Sequence, residues 1–186
     1  MTAELKQLKD QPYDLLVAMD RLLEAKSQER GFGSASNEWT GLGFRLREHW
    51  YLAPRPDVRE VLPPPDFTRV PGSKPWLLGV ANVRGDLLPI IDLGLLLGQG
   101  EIQASDTLRV VVLNDEEVPA GFLVDDVAGF RGFTPADQHH ELVDAMDGHD
   151  PDRSPYLGAF SKVGVDWTVF SLRRLAGSSD FRDAGV

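Results

Sequence analysis

The chain has 186 residues and is 42% hydrophobic, which is enough apolar surface for a core in one domain or in two small ones. Its formal net charge of −10 argues against a nucleic-acid partner and against docking on an anionic membrane, because both attract basic surfaces. The absence of cysteine excludes disulfide bonds and thiolate catalysis.

Residues 1–38 are predicted to form a helix followed by a linker. Within residues 10–30, apolar side chains recur at helical spacing and share one face: Leu15, Leu16, Met19, Leu22 and Leu23. This stripe either packs on the chain's own domain or serves as a docking arm for a partner protein. No signal-peptide core precedes it and no window is apolar enough to span a membrane, so we expect a cytoplasmic protein.

From Gly41 onwards the hydrophobic period changes from helical spacing to two, which predicts β-strands. Leu42, Phe44 and Leu46 alternate with smaller or charged residues, and further strands are predicted at 50–52 and 58–62. The prolines at 63–65 cannot lie in the middle of a sheet, so they predict a loop.

Residues 79–98 have the pattern of a strand, a tight turn, a second strand and a short helix. The first strand is predicted at Val80–Arg84 and the turn at Gly85–Asp86, because glycine tolerates the positive φ of a two-residue hairpin. The second strand, Leu87–Ile91, is apolar throughout, so both of its faces need cover. Asp92 is placed to cap the helix that follows.

The second half of the chain repeats this order of elements. Strands are predicted at 108–113, 118–124 and 127–133, followed by an acidic loop at 134–155 and a hairpin at 156–172. The two hairpins superimpose at a constant shift of 79, so that Gly79 matches Gly158 and Gly85 matches Gly164. The upstream strands have a similar order but need a gap. We therefore predict two related all-β units, each a small barrel, with an apolar seam between them.

The acidic loop offers the one candidate for enzyme chemistry. Residues 137–152 contain side chains that could bind a metal ion and support a metal-dependent hydrolase: His139, His140, Asp144 and Asp147. Their spacing fits no standard metal site, so a solvated acidic loop is favoured and no metal is predicted. The chain also lacks phosphate-binding, nucleophile-elbow and zinc-protease motifs, so we predict no catalytic residue and no cofactor.

A third hypothesis is a lectin-like β-module, in which aromatic side chains stack on sugar rings. Three tryptophans are candidates for that role: Trp50, Trp76 and Trp167. Core packing is the favoured explanation for at least two of them.

Two charged residues lie within otherwise apolar strands. Glu60 lies between Val58 and Val61, and Arg84 follows Val83. Either both side chains point to water, or they form a salt bridge between neighbouring strands, since a charge beside an apolar seam needs a partner. In the second case, exposed apolar residues around the pair would mark a protein-docking patch.

Residues 79–93 resemble the signature of CheW-like chemotaxis coupling domains. That signature runs Gly, two apolar residues, Asn, an apolar residue and Arg-Gly, and continues with Pro, two apolar residues and Asp-Leu. It is matched by Gly79–Gly85 and by Pro89–Leu93. Residues 57–62 resemble the end of the family's first strands, residues 123–127 resemble its later Val-Asp-x-Val strand, and the resemblance covers about residues 40–177.

The resemblance implies an all-β fold of two SH3-like five-stranded barrels, here with an N-terminal α-helical extension. It divides the chain into a helix and linker at 1–38, a CheW-like domain at 39–177 and a flexible tail at 178–186. Family members are non-enzymatic adaptors without cofactors. They couple methyl-accepting chemoreceptors to a CheA-type histidine kinase in the cytoplasm, and receptor arrays recruit them to the inner face of the membrane without insertion.

The resemblance also implies which residues contact the receptor. Matched by motif, the receptor-contacting set is Val58, Glu60, Gly79, Asn82 and Arg84. The hairpin residues that support this surface are Leu87, Leu88 and Ile90. The N-terminal helix, the proline-rich stretch 63–75 and the acidic loop are most similar to coupling proteins of type IV pilus, or twitching, systems.

Overall fold

The computed structural model of the chain describes residues 38–139 and 154–183, which fold into two mixed β-sheets with a few short helices. The predicted helix within residues 10–30 lies outside the described residues. So do His140, Asp144 and Asp147, three of the four candidate metal ligands.

The strands are short and follow the predicted order. In chain order they are β1 (Trp39–Leu46), β2 (His49–Pro54), β3 (Val58–Leu62), β4 (Phe67–Thr68), β5 (Leu77–Val83), β6 (Asp86–Asp92), β7 (Arg109–Leu113), β8 (Gly121–Val124), β9 (Asp126–Phe133), β10 (Tyr156–Lys162) and β11 (Val165–Phe170). The helices are α1 (Leu93–Leu96), α2 (Leu172–Gly177) and α3 (Ser179–Arg182), with 3-10 turns at Arg55–Asp57 and Pro135–Asp137.

The first sheet has the strand order β10-β11-β2-β1-β9 and the second has the order β3-β7-β8-β6-β5-β4. β11 pairs in parallel with β2, and β6 pairs in parallel with β8. The remaining neighbours are antiparallel. Strand β4 was not predicted, because two residues after a proline run carry no detectable period. It gives the second sheet six strands where five were expected.

The sequence repeat and the two sheets do not coincide. In the β5–β6 hairpin Gly79 pairs with Ile90, and in the β10–β11 hairpin Gly158 pairs with Val169, which is the predicted shift of 79. The upstream hairpins follow a shift of 69 instead, since residue 43 pairs with 52 and residue 112 with 121. The first sheet joins β1 and β2 to β9, β10 and β11, whereas the second joins β3–β6 to β7 and β8. Each sheet therefore contains strands from both halves of the chain.

The core consists of one apolar cluster between the sheets and one smaller cluster for each sheet. The shared cluster includes Phe44 and Tyr51 from the first sheet and Ile91 and Phe122 from the second, so the predicted apolar seam is present. The cluster of the first sheet contains Trp39, Leu52, Phe133, Phe160, Trp167 and Val169. That of the second contains Ala81, Leu88, Ile90, Val110, Val112 and Leu123. Consecutive residues Ile90 and Ile91 face different clusters, which explains a strand that is apolar on both faces.

The turn between β5 and β6 falls at Arg84–Gly85, one residue before the predicted position. Both residues have positive φ, 56° and 98°, as in a type I′ turn. Such turns favour glycine in the second place, whereas the prediction put it in the first. The side-chain oxygen of Asn82 accepts a hydrogen bond from the backbone N–H of Gly85 at 2.9 Å and so stabilises the turn.

The segment predicted to be a flexible tail, 178–186, contains helix α3. Phe181 on this helix is 8% exposed and joins the cluster between the sheets. Its ring stacks on Trp76, with ring centroids 5.7 Å apart. The prediction of a wholly flexible tail is therefore wrong for Ser179–Arg182. The burial of one aromatic ring is enough to hold a single helical turn against the core.

A buried carboxylate connects helix α2 to the segment in which the chain passes from the first sheet to the second. Asp57, only 6% exposed, ends the 3-10 turn that leads from β2 in the first sheet to β3 in the second. Its carboxylate accepts hydrogen bonds from the Ser171 hydroxyl at 2.7 Å and from the backbone N–H of Arg173 at 3.3 Å. Burial raises the pKa of Asp57, although these two hydrogen bonds and the Arg173 charge oppose the shift.

We expect the stability contributed by Asp57 to fall as the pH rises. Because its pKa is higher in the folded state, the folded chain binds this proton more tightly than the unfolded chain does. The free energy of unfolding of the wild type, relative to the non-titrating Asp57→Asn, should be highest below about pH 4. It should decline as the pH rises through the folded-state pKa. Urea unfolding of both proteins across this range measures the difference, and a constant difference would contradict the expectation.

Candidate functional site: a charged groove in the second sheet

Glu60 and Arg84 form the ion pair that their positions suggested. Arg84 Nη2 lies 2.8 Å from Glu60 Oε2, and Arg84 Nη1 donates to Glu60 Oε1 at 3.4 Å. The arginine side chain is 73% exposed and the glutamate side chain 22%. An exposed pair of this kind contributes about 0–1 kcal/mol to stability. The contact places the guanidinium of Arg84 beside the carboxylate of Glu60 at the surface.

The pair does not join neighbouring strands, and that part of the prediction is wrong. Glu60 lies on β3 at one edge of the second sheet, whereas Arg84 lies in the turn after β5. Strands β7, β8 and β6 separate β3 from β5 in the sheet order. A register shift between Val58 and Glu60 in the pairing with β7 introduces a bulge next to the glutamate, and bulges commonly re-aim side chains.

The ion pair borders a surface groove of about 360 Å³. Its apolar lining comes from the β5–β6 hairpin, from β7 and from the loop after β7: Val83, Leu87, Leu88, Val112, Leu113 and Pro119. Leu87 is 69% exposed, and Leu88 beside it is 6% exposed. Leu87 therefore adds exposed apolar surface at the border of the groove.

The groove is lined by charged as well as apolar side chains. Its charged lining residues are carboxylates and guanidinium groups: Arg59, Glu60, Arg84, Asp86, Asp115 and Glu116. Among the described residues that line it, no serine, threonine, lysine or histidine is present to serve as a nucleophile or as a neutral base.

The groove brings together four of the eight predicted site residues, namely Glu60, Arg84, Leu87 and Leu88. The other four lie elsewhere and support the fold around the groove. Val58 packs against the cluster between the sheets, and Ile90 is buried in the cluster of the second sheet. Asn82 stabilises the turn that carries Arg84. Gly79 lets β4 approach, because a Cβ at this position would collide with the backbone carbonyl of Thr68.

Sequence reasoning missed the contribution of the loop between β7 and β8. Asp115, Glu116 and Pro119 reach the groove because β8 pairs in parallel with β6 and so brings this loop beside the β5–β6 turn. Asp115 and Glu116 were predicted to form a turn and Pro119 to lie in the strand that follows, whereas that strand begins only at Gly121. The sequence of a turn does not reveal its distant neighbours. The signal available was their composition, three consecutive acidic residues next to an apolar strand.

The structure describes only part of the residues on which the other two hypotheses depend. His139 is the only candidate metal ligand within the described residues, and its backbone N–H bonds the carbonyl of Ala159 at 3.0 Å. The tryptophans proposed for sugar stacking contact other aromatic rings. Trp50 lies 5.1 Å from Trp167 between ring centroids, and Trp76 stacks on Phe181. These contacts favour core packing.

The described residues thus form two interlocked β-sheets, with a charged and partly apolar groove on the second sheet. A sequence model of the CheW-like domain family matches residues 40–175. The chain belongs to the CheW-like family, and it is a non-enzymatic coupling adaptor of a chemosensory system. The metal-dependent hydrolase hypothesis is not supported.

Individual relatives agree with this assignment. The chain is 36% identical over 179 residues to protein PilI of Pseudomonas aeruginosa, with 94% of this chain and 97% of PilI covered. It is 36% identical over 85 residues to chemotaxis protein CheW of Helicobacter pylori, which covers 45% of this chain and 51% of that protein. Scaffolding protein TtCheW of Thermoanaerobacter tengcongensis has a similar fold, with a TM-score of 0.61 and 22% identity over 72% of this chain and 89% of TtCheW.

Within residues 38–139 and 154–183, no helix is both long enough and apolar enough to cross a membrane.

Proposed function

We propose that the chain holds a methyl-accepting chemoreceptor on one surface and a CheA-type histidine kinase on another. The observation that supports the receptor contact is the groove that combines the Glu60–Arg84 pair with the exposed Leu87. Such coupling needs a fixed geometry between two surfaces. The cluster shared by the two sheets supports this rigidity, because a close-packed core transmits displacement with little deformation.

The system we propose is a type IV pilus chemosensory system that controls twitching motility. The similarity to PilI supports it, because 94% of the chain is covered and the match therefore reaches into the segment before residue 40. The adaptor would work in the cytoplasm, recruited to the inner face of the membrane through receptor arrays. In this proposal residues 39–177 form the coupling domain, and each sheet with its own core forms one SH3-like barrel.

Reversing the charge of Arg84 is expected to weaken receptor binding. Arg84→Glu places a carboxylate against Glu60, so the side chain at position 84 is repelled where it was attracted and the groove gains negative charge. We expect a loss of at least about tenfold in affinity, equal to about 1.4 kcal/mol. The double variant Glu60→Arg/Arg84→Glu restores the pair in reverse and should recover part of the loss. Titration calorimetry with recombinant tip fragments of the methyl-accepting receptors encoded in the same genome measures these affinities.

A matched control is Arg131→Glu, which makes the same charge change at an exposed position on β9 in the first sheet. It should bind the tip fragments as the wild type does. If the double reversal recovers nothing, the ion pair does not act as proposed. If the wild type binds no tip fragment and retains neither receptor nor histidine kinase from native lysate, the coupling function itself is refuted.

A further inference from the structure

The charges that line the groove do not cancel. Four carboxylates face two guanidinium groups, and the Glu60–Arg84 pair removes one of each. The charged residues left over are three carboxylates and one guanidinium: Asp86, Asp115, Glu116 and Arg59. The groove is therefore an apolar surface with an acidic border.

Two of these carboxylates are available to a partner. Asp115 is engaged in its own loop, where it accepts hydrogen bonds from the backbone N–H groups of Glu117 at 2.9 Å and Val118 at 3.2 Å. It also lies 4.0 Å from Arg173 Nε. Asp86 and Glu116 are exposed, and neither has an ion-pair partner in the part of the chain that the structure describes.

The carboxylates of Asp86 and Glu116 lie next to the apolar residues that line the groove. Asp86 immediately precedes the exposed Leu87 on β6, and Glu116 lies in the β7–β8 loop that also supplies Pro119. A partner that fills the groove with apolar side chains therefore brings its flanking side chains next to these carboxylates. Basic side chains there gain ion pairs, whereas acidic ones are repelled, and repulsion of like charges is an effective source of specificity.

We propose that the groove selects a receptor segment in which lysine or arginine flanks the apolar contact residues, with Asp86 and Glu116 as the specificity-determining carboxylates. The inference rests on the proposed coupling function and adds the charge of the partner. Because the border is exposed and the whole chain carries a formal charge of −10, the attraction acts mainly on association and weakens with salt.

The test compares three proteins that bind the same receptor tip fragment. They are the wild type, Asp86→Lys/Glu116→Lys and the control Glu48→Lys/Glu101→Lys, which makes an equal charge change at exposed residues outside the groove. Affinity is measured by calorimetry at about 50 mM and about 500 mM salt. Fragments in which the tip's lysines and arginines are replaced by glutamine are measured in parallel. This reciprocal change does not depend on how the adaptor variants fold.

We expect the groove variant to lose about tenfold in affinity at low salt, and the wild type to weaken as salt rises. The control should stay close to the wild type, and the glutamine tips should bind the wild type about tenfold more weakly. Equal binding by groove variant, control and wild type, together with full binding of the glutamine tips, would overturn the inference and leave the coupling function standing. Failure of every tip fragment to bind the wild type would overturn the inference, and it would overturn the coupling function as well if the wild type also retains neither receptor nor histidine kinase from native lysate.

Discussion

Replacing Asp125 with alanine is expected to lower the free energy of unfolding by about 3 kcal/mol. The carboxylate of Asp125, between β8 and β9, accepts two hydrogen bonds from Arg47 Nη1 at 2.9 Å and one from the backbone N–H of Arg47 at 2.5 Å. The two side chains are only 12% and 21% exposed. The substitution leaves a largely buried guanidinium and a backbone donor without their acceptor, which costs more than the ion pair contributes.

The local backbone adds to this effect. Arg47 has a φ of 56° in the turn between β1 and β2, a conformation that non-glycine residues rarely adopt. Its guanidinium also donates to the carbonyl of Gly100, so Asp125 helps to hold this turn against the loop after α1.

Urea unfolding followed by circular dichroism measures the change in stability. A matched control is Asp126→Ala, one residue further along, where the carboxylate bonds the backbone N–H of Val127 at 2.8 Å and is partly exposed. We expect this control to lose less than about 1 kcal/mol. Equal losses at the two positions would show that the contact with Arg47 carries no special weight.

The second large effect is expected for Phe122→Ala, which should cost about 3–5 kcal/mol. Phe122 on β8 is fully buried in the cluster between the sheets, and its ring lies 5.7 Å from that of Phe181 on α3. The substitution removes apolar contacts and leaves a cavity at the place where the two sheets meet. Because each sheet contains strands from both halves, we expect both sheets to lose stability together.

Hydrogen exchange separates the possible outcomes. Amide protection in β1 of the first sheet and in β7 of the second should decrease by a similar factor, since global unfolding exposes both. The control Phe130→Ala removes a ring that is 47% exposed and is covered by Arg55 at 5.1 Å, and it should cost about 1 kcal/mol or less. Loss of protection confined to the second sheet would show that the sheets unfold independently.

The parts of the fold that depend on local pattern could be predicted from the sequence. Alternating apolar residues located the strands, and Asp92 caps α1 as expected, accepting a hydrogen bond from the backbone N–H of Leu95 at 2.9 Å. The ion pair was predictable because Glu60 and Arg84 are charged residues in otherwise apolar strands. The turn was misplaced by one residue because glycine can occupy either central position, and only the side chain of Asn82 favours the observed one.

The parts that depend on distant pairing could not be predicted. The groove needs the β7–β8 loop beside the β5–β6 turn, and this follows from the parallel pairing of Ile90 with Gly121. The exchange of strands between the two halves of the chain could not be predicted either, because it also depends on pairing between distant strands. Matching patterns identify related hairpins, but they do not say which hairpin completes which sheet. Aligning the two halves needs a gap because the upstream hairpins repeat at a shift of 69 residues and the downstream hairpins at a shift of 79.

The interlocking of the two halves has a consequence for synthesis of the protein. A ribosome releases β1 and β2 long before β11, the strand with which β2 must pair in the first sheet. The β1–β2 hairpin therefore keeps apolar side chains exposed until residue 170 has been synthesised. Chaperones commonly protect such exposed apolar surface. A polypeptide interrupted near its middle would leave both sheets incomplete.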